Sequence, residues 1–272
     1  MRSVKIKEVI DALERFAPLP LQEEYDNAGL QVGLTEAEVS GALLCLDVTE
    51  KVVDEAITKG CNLIVAHHPL IFRKLSQVTD ANYVQRTVIK AIKNDIVIVA
   101  MHTNLDAAFG GVNFKIAERL GLRDVRFFGR EKVVTNPLTG KKVTGGDGVI
   151  GCFDTPLAAD DLILLLKKEF DVECVQANEL LRREIQTVAL CGGSGSFLLQ
   201  DAINAGADAF ITGEMGYHEF FGHEQEIQLC VIGHYQSEQY TTEVLRDVIE
   251  RDCPGVKCCI SEINTNPIVY FS

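Results

Sequence analysis

Basic residues are in short supply in this chain: 26 Lys and Arg stand against 39 Asp and Glu over 272 residues, a formal net charge of −13. That balance argues against a nucleic-acid-binding surface, which needs a basic patch or stripe. No apolar run reaches the length that spans a bilayer, and Met1-Arg2-Ser3 is expected to open an amphipathic helix, not a signal peptide. The motif C-x-x-C is missing, and the nine cysteines are scattered and odd in number. Cys45, Cys61, Cys191 and Cys230 sit in apolar runs, where a reduced thiol packs as a small hydrophobe. These features point to a cytoplasmic protein. Cys253, Cys258 and Cys259 lie close in sequence, but adjacent cysteines make poor zinc spacing, so they read as structural.

What is present is a repeating rhythm of strands and helices. A chain of this length suits one large domain or two similar lobes, and hydrophobic residues make up 47% of it. Ser3 reads as the N-cap of a helix reaching Phe16, with Ile6, Val9, Ile10, Leu13 and Phe16 on its apolar side. Pro18 and Pro20 end that helix. Residues 26–33 read as a turn and a short strand. Strands are expected at 41–47, 61–66 and 96–101, with helices at 49–58 and 82–93 between them. Such alternation implies a mainly parallel sheet with helices on its faces. Between residues 124 and 178 the pattern changes. Thr139-Gly140-Lys141-Lys142 and Gly145-Gly146-Asp147-Gly148 suggest hairpins, interrupted by one helix over 158–170. The expected division is a first α/β lobe over 1–123 and a second over 124–272.

The first half then recurs. Ala42-Leu43-Leu44-Cys45 followed by Ala56-Ile57-Thr58-Lys59-Gly60 resembles Val188-Ala189-Leu190-Cys191 followed by Ala202-Ile203-Asn204-Ala205-Gly206, at the same spacing. A short strand follows each glycine. Further on, His102-x-x-x-Asp106 closes a strand in one half and His234-x-x-x-Glu238 closes a strand in the other. Strand-helix-Gly-strand is common enough to recur by chance. Matched polar residues at matched strand ends favour two related lobes.

The chemistry gathers at those ends. In Ile64-Val65-Ala66-His67-His68-Pro69, a buried-strand run meets two histidines and a proline that stops the ladder. Ligands of open α/β sheets collect outside the carboxyl ends of strands. Adjacent strand residues point to opposite faces, so His67 and His68 would splay, each toward its own ion. Two lobes presenting such ends would bring His67, His68, Asp106, His234 and Glu238 to one cleft. Imidazole with carboxylate suits Zn, Mn, Fe, Co or Ni, whereas Ca and Mg prefer oxygen alone. Five ligands exceed the three of a mononuclear catalytic zinc site, and a bridging carboxylate would let two ions sit about 3.5–4 Å apart. Each residue also has a plainer role available. Asp106 could cap a helix beginning near Ala107, and Glu238 could be a solvated first-turn acid favoured by the helix dipole. His218 and His223 read as structural. Gly192-Gly193-Ser194-Gly195-Ser196 could cradle an anion with backbone N–H groups or form a tight turn; it lacks the features of a P-loop or dinucleotide fingerprint. Arg73 and Lys74, just after Phe72, are candidates for a substrate phosphate or an ordinary surface pair. His102 could shuttle a proton or orient a ligand.

The motifs HHPLIF, HTNLDAAFGGVN, TGE-x-x-x-H and GHYQSE, with the earlier DNAGLQVG, resemble those of the GTP cyclohydrolase 1 type 2 homologues, also called Nif-three-like dinuclear metal-binding proteins. The match covers nearly the whole chain. It implies two similar α/β lobes, a toroidal homohexamer, and two divalent ions held by His67, His68, Asp106, His234 and Glu238, with Glu238 bridging. The activity it implies is metal-dependent hydrolysis of a nucleotide or related small molecule, GTP cyclohydrolase-like or on a phosphoester. A non-enzymatic metal-binding or regulatory protein is the alternative. No departure from the family pattern occurs at the ligand positions.

Overall fold

A computed structural model describes residues 3–271. In chain order the elements are α1 (Ile6–Phe16), β1 (Gly29–Val32), β2 (Ala42–Cys45), α2 (Glu50–Lys59), β3 (Leu63–Ala66), α3 (Tyr83–Lys93), β4 (Val97–Ala100) and α4 (Thr103–Asp106). They continue with α5 (Val112–Leu120), β5 (Arg123–Thr135), β6 (Lys142–Leu157), α6 (Ala159–Phe170), β7 (Gln176–Ala177), β8 (Ile185–Cys191) and α7 (Leu199–Asn204). Last come β9 (Ala209–Thr212), β10 (Gln228–Val231), α8 (His234–Glu238), α9 (Thr241–Asp252) and β11 (Cys258–Ile260). The chain forms two compact units, each with its own sheet. One comprises Met1–Leu105, Thr135–Lys142 and Thr241–Ser272; the other comprises Asp106–Val134 and Val143–Tyr240.

These units do not follow the expected cut at 123/124. The last thirty or so residues return to the first unit because β11 pairs parallel with β2, Cys258 opposite Ala42 and Ile260 opposite Leu44. The short tip between β5 and β6 also belongs there: Asn136 Nδ2 donates to the carbonyls of Glu14 and Arg15, each at 3.2 Å.

In the first unit the sheet order is β1-β4-β3-β2-β11. Strands β2, β3 and β4 are buried at every position, as unbroken aliphatic runs covered on both faces must be. The pairings among β11, β2, β3 and β4 are parallel; β1 alone joins antiparallel, against β4. Thr49 caps α2 by accepting from the Val52 N–H, and Gly60 ends it with φ +69°. Asn82 caps α3 in the same way, accepting from the Gln85 N–H. Helix α1 begins at Ile6 and not at Ser3. The Lys5 N–H donates to Glu8 Oε1, while Ser3 Oγ donates to Glu38 instead of capping. Met1 and Arg2, part of that expected opening, lie outside the described residues.

In the second unit the order is β5-β6-β8-β9-β10-β7. Here the expectation of a mainly parallel sheet holds only for the middle, where β8, β9 and β10 pair parallel. Strands β6 and β7 pair antiparallel at either side. The link between β5 and β6 is too short for a parallel crossover, so these two form a hairpin. Of the two glycine stretches, only Thr139-Gly140-Lys141 lies in the link; Gly145 to Gly148 lie within β6. Aromatic packing explains Gly146 and Gly148: a Cβ on Gly146 would stand 2.7 Å from the Phe127 ring, and one on Gly148 would stand 2.4 Å from the Phe128 ring.

The expected recurrence shows in the registers. Ala42 faces Leu63 and Cys45 faces Ala66 across β2 and β3; Val188 faces Ala209 and Cys191 faces Thr212 across β8 and β9. The separation along the chain is the same in both sheets. Gly206, following α7, repeats the left-handed Gly60 with φ +73°. Among the described residues, no helix is long and apolar enough to cross a membrane.

Candidate metal centre

Three adjacent parallel strands of the first unit deliver their next residues to one sheet edge. Strand β2 runs into Asp47, β3 into His67 and His68, and β4 into His102. The ligand nitrogens of His67, His68 and His102 lie within 4.8 Å of one another. Their ring centroids are 4.8 Å apart for His67–His68 and 5.4 Å for each pairing with His102.

An oxygen anchors each of these rings at Nδ1. The Nδ1 of His67, a fully buried residue, lies 2.8 Å from the Met101 carbonyl. A carbonyl only accepts, so Nδ1 carries the proton and the lone pair sits on Nε2. Asp47 Oδ1 holds His68 Nδ1 at 2.7 Å, and Asp26 Oδ1 holds His102 Nδ1 at 2.7 Å. An acceptor behind Nδ1 with a basic Nε2 in front is the arrangement that suits an imidazole to bind a metal through Nε2.

Both carboxylates stay ionised for a stated reason. Burial pushes Asp26 up, but the hydrogen bonds from His102 and Thr103, with the charge of His102, outweigh it and bring the carboxyl down to about 2. Thr103 supplies both its N–H, at 3.1 Å, and its hydroxyl to Asp26 Oδ2. Burial likewise opposes Asp47, and His68 and the Thr265 hydroxyl again prevail, holding it below the ordinary carboxylate value.

The second unit presents a different set of groups. Strand β8 runs into Gly192-Gly193, β9 into Gly213-Glu214, and β10 toward Gly233-His234. Glu214 Oε1 holds His234 Nδ1 at 2.9 Å, and Ser194 Oγ donates to the other Glu214 oxygen. His234 Nε2 faces Glu238 Oε2 at 3.2 Å. Glu238 is not a solvated first-turn acid: it is 4% exposed and is the last residue of α8. Nor does Asp106 cap a helix. It ends α4, and Gly111 occupies the N-cap of α5. Asp106, Glu238 and Asp147 all bear on Cys191, whose thiol burial first, and then these negative charges, push well above its ordinary value. Cys191 is therefore a neutral thiol.

Three backbone amides of the glycine-rich turn are already taken. The N–H of Gly192 donates to Asn113 Oδ1, that of Gly193 to Ser237 Oγ, and that of Gly195 to Thr212 Oγ1. With φ +56°, Gly193 passes so close to Glu238 that a Cβ there would stand 2.3 Å from Oε1. Its function is to make room for that carboxylate.

The remaining candidates are dispersed. Arg73 and Lys74 are both exposed, after Phe72, whose ring stands edge-on to His102 at 6.1 Å. His102 does not orient its neighbours through their Nδ1 atoms, since Met101 and Asp47 already hold those. His218 packs its ring against Tyr217 and Phe221. His223 Nδ1 contacts Glu226 three residues on, so a carboxylate behind Nδ1 is not diagnostic by itself; His67, His68 and His102 differ in that their ligand atoms also cluster. Sequence reading missed the anchoring role of Asp26, Asp47 and Glu214. For Asp47 and Glu214, a signal was present: each is the second residue beyond the end of a parallel strand.

Comparison with known proteins gives a consistent picture. The sequence pattern of the Duf34/NIF3 (NGG1p interacting factor 3) family matches residues 4–267. A Clostridium perfringens protein named GTP cyclohydrolase 1 type 2 homolog is 33% identical over 271 residues, covering 98% of this chain and 100% of the relative. A Lactococcus lactis protein of the same name is also 33% identical, covering 97% and 98%. Among solved structures, a Staphylococcus aureus hypothetical protein superimposes with TM-score 0.88 at 28% identity, covering 99% of this chain and 100% of its own. A Bacillus cereus protein related to NIF3 gives 0.86 at 24% identity, with both chains covered in full.

Proposed function

Because this chain belongs to the Duf34/NIF3 (NGG1p interacting factor 3) family, we propose that it is a dinuclear metal-dependent hydrolase acting on a nucleotide or related small molecule. His67, His68, Asp106, His234 and Glu238 are the ligands in this reading, with Glu238 bridging. The observation that carries it is a cluster of oriented imidazoles: ligand atoms of His67, His68 and His102 lie within 4.8 Å of one another, and each of these rings has an oxygen acceptor at Nδ1. The donor set, imidazole and carboxylate without thiolate, fits Zn, Mn, Fe, Co or Ni. When bound, such ions lower the pKa of water toward neutrality and polarise the group under attack.

The chain's own residues supply the rest. Met101, Asp47 and Glu214 hold the ligand rings in one tautomer. Asp26 does the same for His102, leaving Nε2 as the atom that takes up and returns a proton. Arg73 and Lys74 are the cations offered to a substrate phosphate. The name shared by the relatives directs attention to guanine nucleotides, where hydrolysis would open the purine imidazole ring and release formate. The assembly proposed is a homohexamer, which light scattering should register as several times the 29.9 kDa chain.

The test is elemental analysis joined to turnover. Wild type reconstituted with Mn or Zn should take up two ions per chain and hydrolyse a member of a panel of nucleotides, formamides and phosphoesters. Glu238→Gln, which keeps the shape but loses the charge that screens two cations, should retain at most one ion and lose that turnover. Uptake limited to one ion in excess metal would sink the dinuclear reading. Two ions without turnover would leave a metal-binding or regulatory protein.

A further inference from the structure

The C-terminal segment returns to the first unit and is secured there at several points. Strand β11 lies along β2, and the Ser261 N–H extends that pairing by donating to the Leu44 carbonyl at 2.8 Å. Glu55 then accepts from the Glu262 N–H at 2.8 Å and from the Ser261 hydroxyl. Lys59 closes this clamp, 2.9 Å from Glu55 and 2.8 Å from Glu262. Ile263 packs against the aliphatic cluster formed by β2, β3, β4 and their helices.

This anchoring places one side chain at the histidine edge. Thr265 Oγ1 donates to Asp47 Oδ2 at 2.7 Å, while Asp47 Oδ1 holds His68 Nδ1 at 2.7 Å. A carboxylate turns through a broad torsional well about its last bond. With only His68 as partner, Asp47 could rotate and let the imidazole swing or change tautomer. With Thr265 on its second oxygen, both ends of the carboxylate are tied.

We propose that Thr265 is a positioning residue, which acts through Asp47 to fix the direction and tautomer of His68, and that residues 258–265 are the strap that delivers it. In its consequence for metal binding the proposal rests on the function proposed above. In its consequence for His68 it does not. A sequence separation of 218 residues lies between Thr265 and Asp47, so the strap makes the histidine edge depend on the far end of the chain.

The experiment uses the full chain and two readouts. Thr265→Val removes the hydroxyl and keeps the β-branched shape; Thr265→Ser keeps the hydroxyl; Thr265→Ala stands in if the valine variant does not fold. The first readout is the imidazole nitrogen chemical shifts of His68 in metal-free protein, which report the tautomer. Wild type and Thr265→Ser should show a single Nδ1-protonated ring, and Thr265→Val should show a mixture of tautomers or exchange broadening. The second is Zn²⁺ titration against a competing chelator. Thr265→Val should weaken one of two ions about fivefold to tenfold, the net worth of one ordinary hydrogen bond, with the other ion unaffected and Thr265→Ser restoring the affinity. Unchanged His68 shifts in Thr265→Val would overturn the proposal whatever the metal does. A wild type that binds no Zn²⁺ would overturn the metal reading instead, and the His68 spectrum would still decide the role of Thr265.

Discussion

In the first unit, β2, β3 and β4 run into Asp47, His67-His68 and His102; in the second, β8, β9 and β10 run toward Gly192-Gly193, Gly213-Glu214 and Gly233-His234. The strand registers match, yet the residues at the ends divide the labour differently. The first unit clusters imidazoles and keeps their acceptors, Asp26, Asp47 and the Met101 carbonyl, close behind the strands. In the second, glycines occupy the positions where bulk would obstruct, so that the buried carboxylate of Glu238 can lie against the backbone. The comparison teaches that a parallel β-α-β frame specifies where chemistry can be placed. The residues just past each strand decide which chemistry it is.

The sharpest way to break this comparison is to remove the acceptor behind one histidine in each unit. Asp47→Asn should weaken metal binding about 100-fold and Glu214→Gln about tenfold, the two ends of the range seen for partners that orient ligands. The asymmetry is expected because the Glu214 side chain is 53% exposed and the Asp47 side chain 34%, so solvent can replace more of what Glu214 provides. Equal losses in a metal titration would show that the two units hold their rings alike.

Next in size is the glycine that makes room for Glu238. Gly193→Ala combines a left-handed backbone with a blocked Cβ and should destabilise the protein by about 2–3 kcal/mol in denaturant unfolding. Gly206→Ala shares the positive φ but has nothing within 4 Å of its Cβ, and should cost only about 1 kcal/mol. Similar costs at the two sites would remove the special role assigned to Gly193.

The smallest effect concerns the acid limb of stability. Asp26 has a folded pKa of about 2, below its unfolded value of about 3.9. A depressed carboxylate contributes stability that is complete above the unfolded value and is lost as pH falls through the folded one. The contribution is about 2 kcal/mol at neutral pH. Asp26→Asn should therefore lower stability at pH 7 and flatten its fall between about pH 4 and pH 2. A variant with the wild-type acid profile would show that Asp26 does not hold His102 in solution.

Much of this was legible in the residues. The apolar runs at 61–66 and 96–101 have the length and composition of buried parallel strands, and Pro69 with the histidines before it marks a strand end. The helices expected over 49–58 and 82–93 are present, and the structure shows that Thr49 and Asn82 cap them. The hairpin glycines misled. Gly145 to Gly148 look like a turn but lie inside β6, because glycine serves equally where a chain reverses and where a Phe ring must lie against the backbone.

By itself, then, the sequence determined the central aliphatic strands, the helices between them and the repeated frame, since these depend on periodicity and neighbours within a few residues. Only the tertiary structure decided what stands behind each imidazole. Asp26 reaches His102 across 76 residues and Thr265 reaches Asp47 across 218. Strand order brings such partners together, and no local pattern encodes it. The same holds for the buried Glu238, for Asp106 at the end of α4, and for a glycine-rich turn three of whose amides are committed to Asn113, Ser237 and Thr212. Whether a carboxylate caps a helix, meets solvent or faces an imidazole depends on what packs against it, and packing is settled only when the whole unit has folded.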